Sequence, residues 1–191
     1  MTKYTFIALM MLGLWGCSLH DSQHLLVPSF EPSQQGEAFY QSSSSAEQIT
    51  LRRVAIPPYL DRQFLIALDS EQQIEILHSH QWIEPLEKNL RRILAQDLNH
   101  QFQQPRVVST PNSDTIGGVI IDLEIQEWIV KESSAQLVMT AVWRVQGLAE
   151  QTQRHELKRL FPVQYDAPET WPAAYQKASH ELSKAIFSSI Q

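Results

Sequence analysis

The chain has 191 residues, with 21 acidic and 15 basic side chains and a net charge of −6. That length buries one substantial core and leaves little for a second domain, and an acidic balance has the wrong sign for a nucleic-acid partner. The one cysteine, Cys17, excludes an intrachain disulfide, so packing must supply the stability.

The first sixteen residues read as an export signal: Lys3, an apolar run from Tyr4 to Leu12, and a small residue, Gly16, before the cysteine. The run falls short of the roughly 20 apolar residues that cross a bilayer. Its ending, Leu14-Trp15-Gly16-Cys17, resembles the bacterial lipoprotein signal, which implies cleavage before Cys17 and acylation of that residue. Trp15 occupies a position where a small residue is commoner. Lys3 leaves with the signal, so the mature chain is one charge more negative. In proteins with this signal an Asp after the cysteine retains the product in the inner membrane. Ser18 stands here instead, and the expected location is the periplasmic face of the outer membrane. The expected covalent group is lipid on Cys17, with no cofactor and no metal.

Residues 17–48 are polar and aperiodic, with Pro28, Pro32 and the run Ser42 to Ser45. They read as a lipidated tether whose coil reach is roughly 30 Å. An apolar patch at Leu25 to Val27 offers a short strand that, if docked at a sheet edge, shortens that reach.

Residues 49–191 read as a single α+β domain. Ile49 to Ile56 is a strand that ends at Pro57-Pro58, which cannot continue a ladder. Phe64 to Leu68 and Gln73 to Leu77 flank the polar tetrapeptide Asp69 to Gln72 and predict a hairpin. Behind Pro85, which suits a first helical turn, Leu86, Leu90, Ile93, Leu94 and Leu98 recur at helical spacing to about Asn99. After Gly117-Gly118 the residues Val119, Ile121, Leu123 and Ile125 alternate with Ile120, Asp122, Glu124 and Gln126, a half-buried strand. Leu137 to Val145 repeats the alternation, and His155 to Gln164 predicts a third strand. Trp171, Tyr175, Ala178, Leu182 and Ile186 then mark a last helix, with Thr170 as a plausible N-cap. Three successive strands predict a meander. The expected fold is a two-layer sandwich: a mostly antiparallel sheet covered on one face by two long helices.

Catalytic signals are few. His78-Ser79-His80 supplies two imidazoles, short of a metal ligand set. Asp122 and Glu124 share a strand face and could be drawn as an acid/base pair, but a wet strand face explains them as well. There is no nucleophile elbow, dinucleotide loop or phosphate loop, so a binding or assembly role is expected instead of an enzyme. Trp143 and Trp171 fall on apolar faces and belong to the core. Trp128 falls on the face opposite Val119 to Ile125, which makes it a candidate partner or lipid surface.

Two segments stand out from this background: Ile56-Pro57-Pro58-Tyr59-Leu60-Asp61-Arg62, and His80-Gln81-Trp82-Ile83-Glu84-Pro85-Leu86 at the helix entrance. Pro57 and Pro58 stiffen the loop, Tyr59 and Leu60 can pin it to the core, Asp61 and Arg62 can end it in a polar contact, and Trp82 can staple to Leu86. In order and spacing, behind a lipoprotein cysteine, these segments resemble the PqiC family of ABC-type transport auxiliary lipoproteins. Ile56 replaces the usual valine and Gln63 a common proline, and matching beyond Asn99 is weak. The resemblance implies a non-enzymatic accessory of an MCE-type lipid transport system, docking a periplasmic MCE protein of the Pqi type at the outer membrane. A homo-oligomeric ring extends that picture, with edge strands or Trp128 as the subunit contact. Rigid loops often carry recognition, so Pro57, Pro58, Tyr59, Leu60, Asp61 and Arg62 are candidate partner contacts. Competing readings are an assembly lipoprotein for outer-membrane biogenesis, similar to LPS-assembly lipoproteins, and, ranked last, an envelope hydrolase.

Overall fold

The computed structural model describes residues 23–25, 48–103, 105–109, 118–147 and 151–191. The signal segment, Cys17 and most of the tether lie outside these residues. The elements in chain order are β1 (Gln23–Leu25), β2 (Ile49–Ala55), β3 (Phe64–Leu68), β4 (Ile74–Trp82), α1 (Leu86–Phe102), β5 (Val107–Val108), β6 (Val119–Lys131), β7 (Gln136–Gln146), β8 (Thr152–Pro162) and α2 (Trp171–Ser188).

The class is α+β, but the sheet is mixed, and this corrects the expectation of a mostly antiparallel sheet under two long helices. The pairs β1–β4, β2–β5, β2–β6 and β3–β6 are parallel, while β3–β4, β6–β7 and β7–β8 are antiparallel. The described helices have 17 and 18 residues. Alternation identifies a strand and its buried face but carries no direction for pairing across seventy residues. Antiparallel neighbours were legible where a short turn joined them; parallel pairs to β6 were not.

β6 organises the sheet. One edge pairs along almost its whole length with β7, from Ile120↔Gln146 to Lys131↔Gln136. The other edge is shared: β2 takes Val119 to Glu124, and β3 takes Val130 and Lys131. β2 and β3 both run parallel to β6, and the chain between them, residues 56–63, makes a detour at the fork.

A β-bulge between Ile125 and Glu127 interrupts the β6–β7 register. The extra residue, Gln126, is exposed, and beyond it the inward positions change parity. Ile121, Leu123 and Ile125 face the core before the bulge, and Trp128 and Val130 after it. Trp128 is therefore 0% exposed. Its ring lies 6.1 Å from that of Tyr175 on α2. The expectation that Trp128 forms a partner or lipid surface is overturned, because strict alternation was carried through a bulge.

α2 lies on this Trp128 face with Trp171, Tyr175, Ala178, Leu182 and Ile186 all buried. Burying each of the larger of these side chains contributes about 1.5–3 kcal/mol before entropy is counted. α1 packs beside it, with Phe102 against Phe187 at 4.7 Å and Gln101 donating to Ser183. Thr170 does not cap α2 with its side chain; its hydroxyl donates back to the Ala167 carbonyl at 2.8 Å. At the start of β6, Gly118 has φ +129, and the Gln48 carbonyl sits where a Cβ would project. That close approach lets the Val119 amide donate to the Gln48 carbonyl at 3.0 Å, aligning β2 with β6.

Candidate functional site

The two motif segments meet. Asp61, Arg62 and Gln63 from the fork loop, and Trp82, Ile83, Glu84 and Pro85 from the end of β4, line one cleft of about 330 Å³. Pairing across the strands brings them together: the Trp82 amide donates to the Gln63 carbonyl at 2.8 Å, and Gln63 Nε2 donates to Gln81 Oε1 at 2.9 Å.

The loop is shaped by its own backbone. The Leu60 amide donates to the Pro57 carbonyl at 2.9 Å, closing a turn for which proline's fixed φ is suited. The Arg62 amide donates to the Leu60 carbonyl at 2.8 Å. Leu60 is buried at 4% exposure, which pins the turn to the core. Tyr59 is half-buried, and its hydroxyl donates to the carbonyl of Gln126, the bulge residue of β6. Burial first, and then the nearby Glu127 carboxylate, push the Tyr59 phenol above its ordinary range, so it stays a donor. Pro58, Asp61 and Arg62 are exposed. Among the described residues neither the Asp61 nor the Arg62 side chain has a hydrogen-bond or ion-pair partner, which corrects the expectation that they end the loop in a polar contact.

The opposite wall is held rigidly. Trp82 is buried with its ring edge-on to Tyr175 at 5.3 Å, and Leu86 is 2% exposed. Between them Glu84 accepts from Asn89 Nδ2 at 2.8 Å and from Arg92 at 3.2 and 2.8 Å through one oxygen. Burial opposes ionisation of Glu84, but the bonds from Asn89 and Arg92 and the charges of Arg92 and Lys88 outweigh it. The net effect holds the carboxyl below its ordinary range. Pro85 sits at the N-cap, and the Asn89 amide donates to its carbonyl at 3.0 Å to begin α1. Ile83, between two buried anchors, is 60% exposed at the lip of the cleft. Sequence reasoning did not single out Ile83; an aliphatic between Trp82 and Glu84 was the available signal.

Trp128 and Leu60 are the proposed contact residues that the structure takes away from the surface. Pro57, Pro58, Tyr59, Leu60, Asp61 and Arg62 share the fork loop, with only Asp61 and Arg62 on the cleft wall. His78 and His80 lie in different surroundings: His78 is exposed and packs edge-on to Phe64 at 5.1 Å, while His80 is buried beside Ser79. Among the described residues no cluster of three ligating side chains occurs. Asp122 is paired with Arg52. The cleft has a rigid frame and an unpaired polar and apolar rim, which are features of a recognition surface.

Such a cleft on an α+β scaffold is a candidate recognition site. Over residues 30–187 the chain matches the family model for the ABC-type transport auxiliary lipoprotein component, and it belongs to that family. No curated protein matches it. Among solved structures, an uncharacterised protein superposes with a TM-score of 0.71 at 16% identity, covering 89% of this chain and 99% of that one. XCC0632 from Xanthomonas campestris, described as a DUF330 protein, superposes with a TM-score of 0.58 at 8% identity, covering 73% and 81%. These likenesses establish the fold. Among the described residues no helix is long and apolar enough to cross a membrane.

Proposed function

We propose that the protein is a non-enzymatic accessory of an MCE-type, Pqi-like lipid transport system, anchored through acylated Cys17 to the periplasmic face of the outer membrane. The 56–63 loop and the β4–α1 junction dock a periplasmic MCE protein there. The observation that carries this reading is the convergence of both motifs on one cleft whose frame is satisfied internally while Asp61, Arg62 and Ile83 are left exposed. Packing of the core accounts for Leu60, Trp82 and Leu86, but an outward isoleucine beside two unpaired opposite charges contributes little to folding.

Ile83→Asp tests the assignment. The variant is expected to melt like the parent protein but to recover much less MCE protein from crosslinked envelopes. Undiminished recovery overturns the cleft as the docking site; recovery of no MCE protein by the parent chain overturns the partner.

A further inference from the structure

The distance from the anchor to the fold is set by β1. Gln23 pairs with His80, His24 with Gln81 and Leu25 with Trp82, in parallel with β4. Five residues separate Cys17 from Gln23, and six Cα steps span at most about 20 Å. The thirty-residue tether expected from composition is thus divided, and only its first few residues stand between lipid and sheet.

Because β1 is parallel to β4, the chain enters it from the side of the β3–β4 hairpin. On β4, five residues also separate His80 from Ile74. Ile74 is 52% exposed and Ile76 is 37% exposed, two of four large aliphatics left open on the described surface. Both lie on the sheet face away from α2: Ile76 opposes Ile66 and Ile74 opposes Leu68, whereas Ala67 pairs with the helix-facing Val130. The hairpin beside them carries Asp69, Glu71 and Glu75, so an anionic surface would repel it and a zwitterionic one would not.

We propose that the β1–β4 edge is the membrane-facing surface of the domain, with Ile74 and Ile76 seated against a zwitterionic bilayer that holds the acyl chains of Cys17. The inference rests on the acylation of Cys17. A leash of this length keeps the edge within reach of the headgroups, where two branched aliphatics gain by leaving water. The cleft stands at the opposite end of β4, beyond Trp82, and is presented away from the membrane.

The test uses the full acylated protein in phosphatidylethanolamine-rich vesicles carrying doxyl-labelled lipid. With Cys17 acylated, a fluorophore attached through Ile74→Cys, or Ile76→Cys as a second position, is the only label. A third variant, Gln153→Cys on β8, reports the far edge of the sheet. Quenching at 74 or 76 at least twofold greater than at 153 is expected. Equal quenching, or more at 153, with the acyl mass confirmed on Cys17, overturns the membrane-facing edge and leaves the anchor intact. An unacylated Cys17 overturns the anchor and this inference with it.

Discussion

Tyr59 donates its phenolic proton to the backbone carbonyl of Gln126 at 3.2 Å, joining the motif loop to the bulge on β6. The contact lies at the fork where β2 has left β6 and β3 has not yet joined it. A tyrosine in the loop therefore satisfies a backbone acceptor that no strand covers.

Tyr59→Phe removes this one bond and keeps the ring. The expected cost in urea unfolding is about 0.5–1 kcal/mol, the lower part of the range for a neutral hydrogen bond because water can replace the donor. A loss above about 3 kcal/mol would require the hydroxyl to hold more than the Gln126 carbonyl.

Trp128→Ala removes a side chain that is wholly buried against Tyr175 and should destabilise the protein by about 3–5 kcal/mol. At a temperature where the variant is folded, its capture of the docking partner should equal that of the parent. Ile83→Asp is expected to show the converse, normal stability with weakened capture, so the pair separates core from contact surface.

Gly118→Ala places a Cβ against the Gln48 carbonyl at a backbone angle unfavourable to L residues. A loss of about 1–3 kcal/mol is expected from strain of this kind. Hydrogen exchange should report it first at the Val119 amide, whose bond to Gln48 depends on the close approach.

Glu84 sets an acid limb of stability. Its carboxyl is held below the ordinary glutamate value of 4.5. Its contribution is therefore present above that value and lost as pH falls through the lowered folded one. Glu84→Gln should flatten the dependence of unfolding free energy on pH in that acid window. An unchanged slope would mean that the bonds from Asn89 and Arg92 do not favour the charged form.

Much of the core could be read from spacing. Every residue placed on the inner face of the last helix is buried, and Leu86 to Leu98 behave likewise, because a long amphipathic helix records its environment every three or four residues. Strand pairing left no such record. β5 has two residues and β1 three, too short for a period, and β4 extends through His78 to Trp82, beyond Leu77, where the apolar run of the expected hairpin ends. Trp128 shows how one extra residue reverses a face. The motif loop was recognisable from its prolines and its resemblance, but its proximity to Ile83 depends on the Gln63–Trp82 pairing, which local sequence does not encode.

The sharing of one β6 edge by β2 and β3 also orders events in time. Among the described residues β2 pairs only with β5 and β6, which follow it by some fifty residues or more. Pairings so distant in sequence form slowly, and until β6 arrives the β3–β4 hairpin must wait with an open edge. Under the proposed export and acylation of Cys17, that residue emerges long before the strand that completes the sheet. Acylation would then precede folding, and the domain would assemble already tied to a bilayer, with the β2 and β3 edges open until β6 arrives.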